Sequence, residues 1–392
     1  VSGAIRPTYL KVPTRSGSQA EGVREGLERA AAQLELTLRE LLARTDRIVH
    51  GTTIATNMMI EGTGSRVGFL TTAGFRDEIE YRRGLKEEIY DPSLPPPRPL
   101  ARRRDRLTAR ERVAADGAVS IALDEAEVRA RIGELRDAGC EALAIGFLFS
   151  FLNPKHEERA RSIAEEEWPG VYLSVSSELL PQVREYERFS TTVVNAYVGP
   201  KTASYLDRLE SELSELGFGG EFLVILSSGG VIDGKFAGRR AAWLLHSGPA
   251  GGVLAATELL AKRTAHRNLI TIDMGGTSYD VCLIGDAAPQ IASGAYVERH
   301  AVALPMFDLH TIGAGGGSIA RVDSGGVLRV GPQSAGAVPG PACYGRGGSE
   351  PTVTDANLAL GYLNPRATLG GSVKLDVEAA RRAIRDRVAG PM

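Results

Sequence analysis

The sequence predicts an α/β fold in two units, and three observations carry that prediction. Between residues 124 and 174, amphipathic stretches alternate with apolar runs, the βαβα rhythm of a sheet covered by helices. A long helical segment from Glu185 to Leu216 then joins two halves, which places a boundary near residue 185 and units at 1–185 and 186–392. The second half carries four glycine turns, each closing an apolar run or opening a helical one. They are Ser228-Gly229-Gly230, Gly248 to Gly252 with Gly251 inside, Gly275-Gly276, and Gly313 to Gly317. Ligands of α/β folds gather at such strand and helix ends.

Taken in order, residues 1 to 14 read as the end of a β region. Ala20 to Leu42 carries apolar residues at helical spacing, and Arg47 to Val49 is a short strand. It leads into His50-Gly51-Thr52-Thr53-Ile54-Ala55-Thr56-Asn57, whose threonines suit helix caps or anion contacts. Val67 to Thr71 is a strand, and Gly74 to Asp77 opens a helix or loop. Tyr90 to Leu100 is too rich in proline for regular structure and reads as an ordered crossing loop. The arginine-rich run Arg102 to Arg106 reads as a solvated charged face. Arg110 to Ile121 is a hairpin turning at Ala115-Asp116-Gly117. Asp124 to Ala138 and Pro154 to Glu167 are helices, while Ala142 to Phe149 and Val171 to Ser174 are strands. Gly199-Pro200 marks a pivot in the long segment that follows.

Composition excludes several classes. In 392 residues, 43% are hydrophobic and 24% charged, as in ordinary globular proteins, and the net charge of −2 gives no reason for a nucleic-acid or anionic-membrane partner. Cys140, Cys282 and Cys343 are far apart and odd in number, which fits free thiols in a cytoplasmic setting. No apolar run approaches the ~20 residues of a membrane helix.

The chemistry concentrates in NLITIDMGGTSYDVCLI, residues 268 to 284. Two apolar runs of strand length flank Asp273, Gly275, Gly276, Thr277 and Asp280. A Gly-Gly turn exposes backbone N–H groups that suit a phosphate oxygen. The Thr277 hydroxyl can donate to the same anion, and Asp273 can hold Mg²⁺. A plain hairpin turn with glycines at its tip explains this stretch equally well. The four turns together favour a nucleotide lying across a cleft. His50 and His310, each beside a turn, are candidate catalytic groups, and Asp308, two residues from His310, could share another divalent metal with it. The competing role for either histidine is hydrogen bonding to loop backbone. Cys343 in GPACYGRGG has no base predicted beside it and reads as a packed thiol. His156, His266 and His300 read as surface residues.

Together these strings resemble the hydantoinase A/oxoprolinase family over nearly the whole chain. HGTTIATN at 50–57, REYERFSTTVVNAYVGP at 184–200, SGPAGGV at 247–253, TIDMGGTSYDV at 271–281, LPMFDLHTIGAGGGSIA at 304–320 and GPQSAGAVPGPACYGRGGSEPTVTDANLALG at 331–361 carry the resemblance. It implies a two-lobed nucleotide-binding architecture like that of actin, sugar kinases and Hsp70. It also implies ATP with Mg²⁺, and hydrolysis of a cyclic amide such as a hydantoin or 5-oxoproline through carbonyl phosphorylation. Asp273 would hold Mg²⁺ or orient water, Gly275, Gly276 and Thr277 would cradle phosphate, and Gly313, Gly315, Gly316 and Gly317 would approach the nucleoside or its α-phosphate. A hydantoinase B-type partner subunit and an oligomeric assembly are implied as well. The family's alternatives are an acetone or acetophenone carboxylase subunit; a non-catalytic actin-like nucleotide-binding subunit is a reading of another class. Family members begin with a strand and a first DxGGTFTD loop; here Val1 to Thr14 resembles the strands after that loop, and the chain stops at Met392, so a fragment of a longer protein is expected.

Overall fold

The computed structural model describes residues 9–12, 19–85, 87, 89–91, 93–276, 279–312, 314–336, 338–366 and 373–392. It is a mixed α/β structure with parallel sheets. Of the predicted β region at 1–14, residues 9–12 carry no strand and the rest lie outside the described residues. The stretch 20–42 forms two helices rather than one, α1 (Gln19–Gln33) and α2 (Leu38–Ala43). Glu35 breaks it with a left-handed φ of 56°, and Thr37 and Glu40 then cap α2 reciprocally. β1 (Arg47–His50) leads into α3 (Ile54–Glu61), which left-handed Gly62 closes.

The first half is organised by β2 (Val67–Thr72), α4 (Glu78–Tyr81), β3 (Arg106–Ala109) and the hairpin of β4 (Arg112–Val113) with β5 (Val119–Ile121). There follow α5 (Glu125–Asp137), β6 (Ala142–Gly146), α6 (Lys155–Glu167), β7 (Tyr172–Val175) and α7 (Ser176–Leu179). Strands β3-β2-β6-β7 form one parallel sheet in that order. All residues of β2 and β6 are buried, as continuous apolar strands covered on both faces must be. The reading of 102–106 as a solvated face fails at Arg106, which is 1% exposed and paired with Asp77 and Glu80. Buried Asp105 likewise takes a two-pronged bond from Arg66, at 3.0 and 2.6 Å.

α8 (Glu185–Glu215) is a single 31-residue helix that runs through Pro200, so the predicted pivot is absent. Glycine at 199 is needed for packing: a Cβ there would fall 2.1 Å from Cζ of Tyr172 on β7. In the second half, β8 (Glu221–Ile225) pairs in parallel with β1 and turns back into β9 (Val231–Asp233). Next come α9 (Gly234–Arg239) and α10 (Ser247–Ala256), then the antiparallel pair β10 (Leu269–Met274) and β11 (Tyr279–Gly285). β12 (Leu309–Ile312) lies on the other side of β11. β13 (Ser318–Val322) and β14 (Leu328–Ser334) form a hairpin before α11 (Val353–Ala359) and α12 (Val377–Ile384).

One apolar cluster contains Phe69, Ala144, Phe189, Val193, Ala242 and Leu304, so packing runs through α8 from the parallel sheet into the second half. Among the described residues no helix is long and apolar enough to cross a membrane. The three cysteines are buried free thiols.

Candidate functional site

The stretch 268–284 forms the expected strand pair, so the hairpin reading and the site reading describe one object. Asp273 stands opposite Asp280, and Asp280 opposite Thr311 on β12. Residues directly opposite one another share a face, which sets these three in one row. Thr311 donates to Asp280 at 2.6 Å; Asp280 is buried and Asp273 exposed. At the tip, the Gly316 N–H donates to the Gly275 carbonyl at 2.9 Å and the Gly317 N–H to the Gly276 carbonyl at 2.7 Å. Two of the four glycine turns are therefore joined through backbone. In a trans peptide a carbonyl and the next N–H point oppositely, so the Gly276 N–H is directed away from the 315–317 loop. Thr277 and Gly313 lie outside the described residues.

The other two turns meet at α10. Ser228, Gly229 and Gly230 form the β8–β9 turn, where Gly229 has φ 84° and lies so close to Phe307 that a Cβ would come within 2.3 Å of its ring. The Ser247 hydroxyl accepts from the Thr52 N–H at 3.3 Å, and the Thr56 hydroxyl from the His246 N–H at 2.8 Å. A Cβ at Gly248 would meet Thr53 at 2.9 Å, and one at Gly251 would meet Ile225 at 3.3 Å. Thr52 and Thr56 thus serve to dock the 50–57 loop onto the start of α10. Ala250 and Val253 of α10 pack with Cys282, Ile284 and Phe307. Between α10 and the hairpin lies a cavity of about 320 Å³, lined by Pro249, Gly252 and Val253 on one side and Asp273 and Asp280 on the other. The turns at 228–230 and 315–317 are not among its lining residues. A larger groove, about 870 Å³, runs along β7 and contains none of the predicted site residues.

The histidines are distributed differently from expectation. The His50 ring bonds the Tyr205 hydroxyl at 3.1 Å and stacks on Phe222, and burial pulls its pKa down to about 4. His310 stands opposite Val281, on the face of the sheet away from Asp273, Asp280 and Thr311. It is exposed and 4.0 Å from Asp308. No third His, Cys, Asp or Glu among the described residues completes a metal-binding group with that pair or with Asp273, so a centre held by protein alone is not assembled. Mg²⁺ makes a smaller demand, one or two carboxylates with phosphate and water completing the octahedron. Asp273 and Asp280 fit that demand.

His246 escaped the sequence reading. It precedes α10 in a left-handed conformation, φ 58°; burial lowers its pKa, and the charge of Asp280 acts in the opposite sense. Its only signal in sequence is its place directly before SGPAGG. His156 and His300 are corrected as well. His156 is buried and bonds Glu111 at 2.7 Å, while His300 is half-buried, its pKa lowered to about 4 by burial and by Arg82 and Arg299. Cys343 is fully buried, and burial with the adjacent Asp355 pushes its thiol pKa up, as a packed thiol requires.

Comparison with known proteins follows the same lines. The hydantoinase/oxoprolinase profile matches residues 188–392, and that of the hydantoinase/oxoprolinase N-terminal region matches residues 5–168. The chain is 42% identical over 385 residues to the caprolactamase alpha subunit of Pseudomonas jessenii, covering 98% of this chain and 55% of that subunit. It is 35% identical over 397 residues to the acetophenone carboxylase gamma subunit of Aromatoleum aromaticum, covering 97% and 54%. The solved ATP-dependent caprolactamase of P. jessenii superimposes with a TM-score of 0.78 at 43% identity, over 97% of this chain and 55% of that one. An acetone carboxylase solved without nucleotide superimposes with a TM-score of 0.84 at 29% identity, with the same 97% and 55% coverage. The chain spans about half the length of these relatives.

Proposed function

The chain belongs to the hydantoinase/oxoprolinase family, and from that premise we propose that it carries the ATP-handling site of an enzyme that opens a cyclic amide. The observation that carries the proposal is the row Asp273–Asp280–Thr311 beneath a glycine tip that is hydrogen-bonded to a second glycine loop. The likeness to an ATP-dependent caprolactamase supports the choice of substrate class.

An unstrained lactam resists attack because its nitrogen lone pair is delocalised into the carbonyl. ATP would supply the activation: the γ-phosphoryl group moves to the carbonyl oxygen with ADP as leaving group, water adds to the carbon, the ring C–N bond opens as the nitrogen takes a proton, and a second water hydrolyses the resulting acyl phosphate to carboxylate and phosphate. The protein's part is positioning and charge stabilisation. Asp273 and Asp280 would hold Mg²⁺, with Asp280 fixed by Thr311. The Gly276 N–H would donate to a phosphate oxygen, with Gly275 beside it free of a side chain, while the loop of Gly315, Gly316 and Gly317 would hold the tip from its other side. Gly248, Gly251 and the 228–230 turn would shape the wall next to α10. His246, near Asp280, replaces His50 and His310 as the histidine best placed to act. We retain the division near residue 185 as part of the proposal, with α8 packed against both units.

A carboxylase is the second reading, favoured by the 0.84 TM-score against acetone carboxylase. Both chemistries share phosphate loops, but carboxylation also needs bicarbonate held beside a carbon nucleophile. The test is phosphate release by the full enzyme with any partner subunit, given MgATP and caprolactam, a hydantoin or 5-oxoproline. Release independent of added bicarbonate is expected. Release that appears only with a ketone and bicarbonate would make the carboxylase reading correct.

A further inference from the structure

We infer that Thr354, at the start of α11, is a positioning residue for the glycine loops of the nucleotide site; the inference rests on the ATP-handling reading above. Its geometry is one of stacked backbone layers. The outermost layer is the tip carbonyls of Gly275 and Gly276, which accept from the N–H groups of Gly316 and Gly317. The next is the Gly316 carbonyl, which accepts twice from Thr354, from its N–H and from its hydroxyl, both at 2.8 Å. The Gly317 carbonyl in turn accepts from the Ala335 N–H at 2.8 Å.

The layers are too close for side chains. A Cβ on Gly316 would sit 2.9 Å from the Thr354 hydroxyl, and one on Gly317 would sit 2.7 Å from the Ser334 hydroxyl and 2.8 Å from the Gly276 carbonyl. Thr354 is itself held. Thr352 and Asp355 cap α11 reciprocally, and buried Asp355 accepts from the N–H groups of Ala342, Cys343 and Thr352. Because carbonyl and following N–H are opposed, fixing the Gly316 carbonyl aims the Gly317 N–H at the Gly276 carbonyl. That bond fixes the Gly276 carbonyl, and the peptide before it, whose Gly275 carbonyl accepts from the Gly316 N–H, presents the Gly276 N–H to phosphate. Thr354 thus orients the phosphate donor across two hydrogen bonds without touching the nucleotide.

The experiment compares Thr354→Val, which keeps the N–H and the shape, with Thr354→Ser, which restores the hydroxyl, in the full enzyme with MgADP as probe. Loss of one hydrogen bond in such a chain should weaken MgADP about three- to tenfold in Thr354→Val. Thr354→Ser should stay within about twofold, and KM for the lactam should be unchanged in both. Hydrogen exchange of the unmodified protein reads the same bonds without any variant, and the amides of Gly316 and Gly317 should exchange as slowly as those of β10 and β11. Unchanged MgADP affinity in Thr354→Val, with Asp273→Asn still weakening it, overturns the role of Thr354 and leaves the nucleotide reading intact. Rapid exchange at Gly316 and Gly317 also overturns it. Absence of MgADP binding to the unmodified enzyme removes the nucleotide reading itself and this inference with it.

Discussion

His50 shows how burial converts a sequence candidate into a structural group with a measurable signature. Between Phe222 and Tyr205 its ring loses hydration, so the neutral form is favoured and the pKa falls from 6.5 to about 4; His300 behaves alike. The unfolded chain takes up a proton near pH 6.5 that the folded chain refuses until about pH 4. Stability is therefore complete above pH 6.5 and is lost as pH falls through that window, by about 2–3 kcal/mol for each histidine. His50→Phe retains an aromatic ring against Phe222 and removes the titration. Its Tm should fall less steeply than the unmodified protein's between pH 6.5 and 4, and identical slopes would show that His50 is not the group responsible. Asp273 makes the opposite prediction. It is exposed at the hairpin's end, so Asp273→Asn should change stability by no more than about 0.5 kcal/mol while strongly reducing ATP turnover, because an amide is a weak Mg²⁺ ligand. Phosphate release and melting measured on the same preparation decide it: full turnover in the variant rules the metal role out.

At the scale of elements, α8 and β10 depart from what their sequences suggest, for different reasons. Gly199-Pro200 looks like a hinge because both residues weaken helices. In the structure the helix continues, since Gly199 gives Tyr172 room to pack against it and lets the tyrosine hydroxyl reach the Gly238 carbonyl at 3.0 Å. Gly199→Ala should therefore destabilise by about 1–3 kcal/mol despite alanine's better helix propensity, read as a drop in urea midpoint. A gain in stability would mean that the tyrosine moves aside at no cost. β10 reads LITIDM, an apolar run of the kind found in fully buried strands. Yet Ile270 and Ile272 are 66% and 59% exposed, and among the described residues β10 pairs only with β11. An apolar strand with one open edge invites association. Ile272→Lys should reduce concentration-dependent self-association of this chain in light scattering; equal association in both proteins would place the sticky surface elsewhere.

Across the whole molecule, local patterns settled much and non-local pairings settled the rest. The strands at 67–72, 142–146, 172–175, 269–274 and 279–285 and the helices at 125–137 and 155–167 were legible because apolar spacing and caps act within a few residues. The four glycine turns and the family resemblance were legible for the same reason, since each is a contiguous string. What no string contains is which residues face one another. The register of β12 on β11 sets Thr311 beside Asp280 and turns His310 to the other face. The fold of 103–106 against α4 buries Arg106 where its neighbours suggested solvent. Thr354 reaches Gly316 across 38 residues, and His246 comes near Asp280 only when α10 packs on the hairpin. By itself the sequence determined the kinds of elements, the glycine turns and the family, because propensity, periodicity and motif are local properties of a chain. Only the tertiary structure decided which carboxylates share a row, which histidines are withdrawn into packing and which loops are bonded together. Those depend on strand register and helix packing between residues far apart in sequence, where a shift of a single residue would reverse every side chain's face.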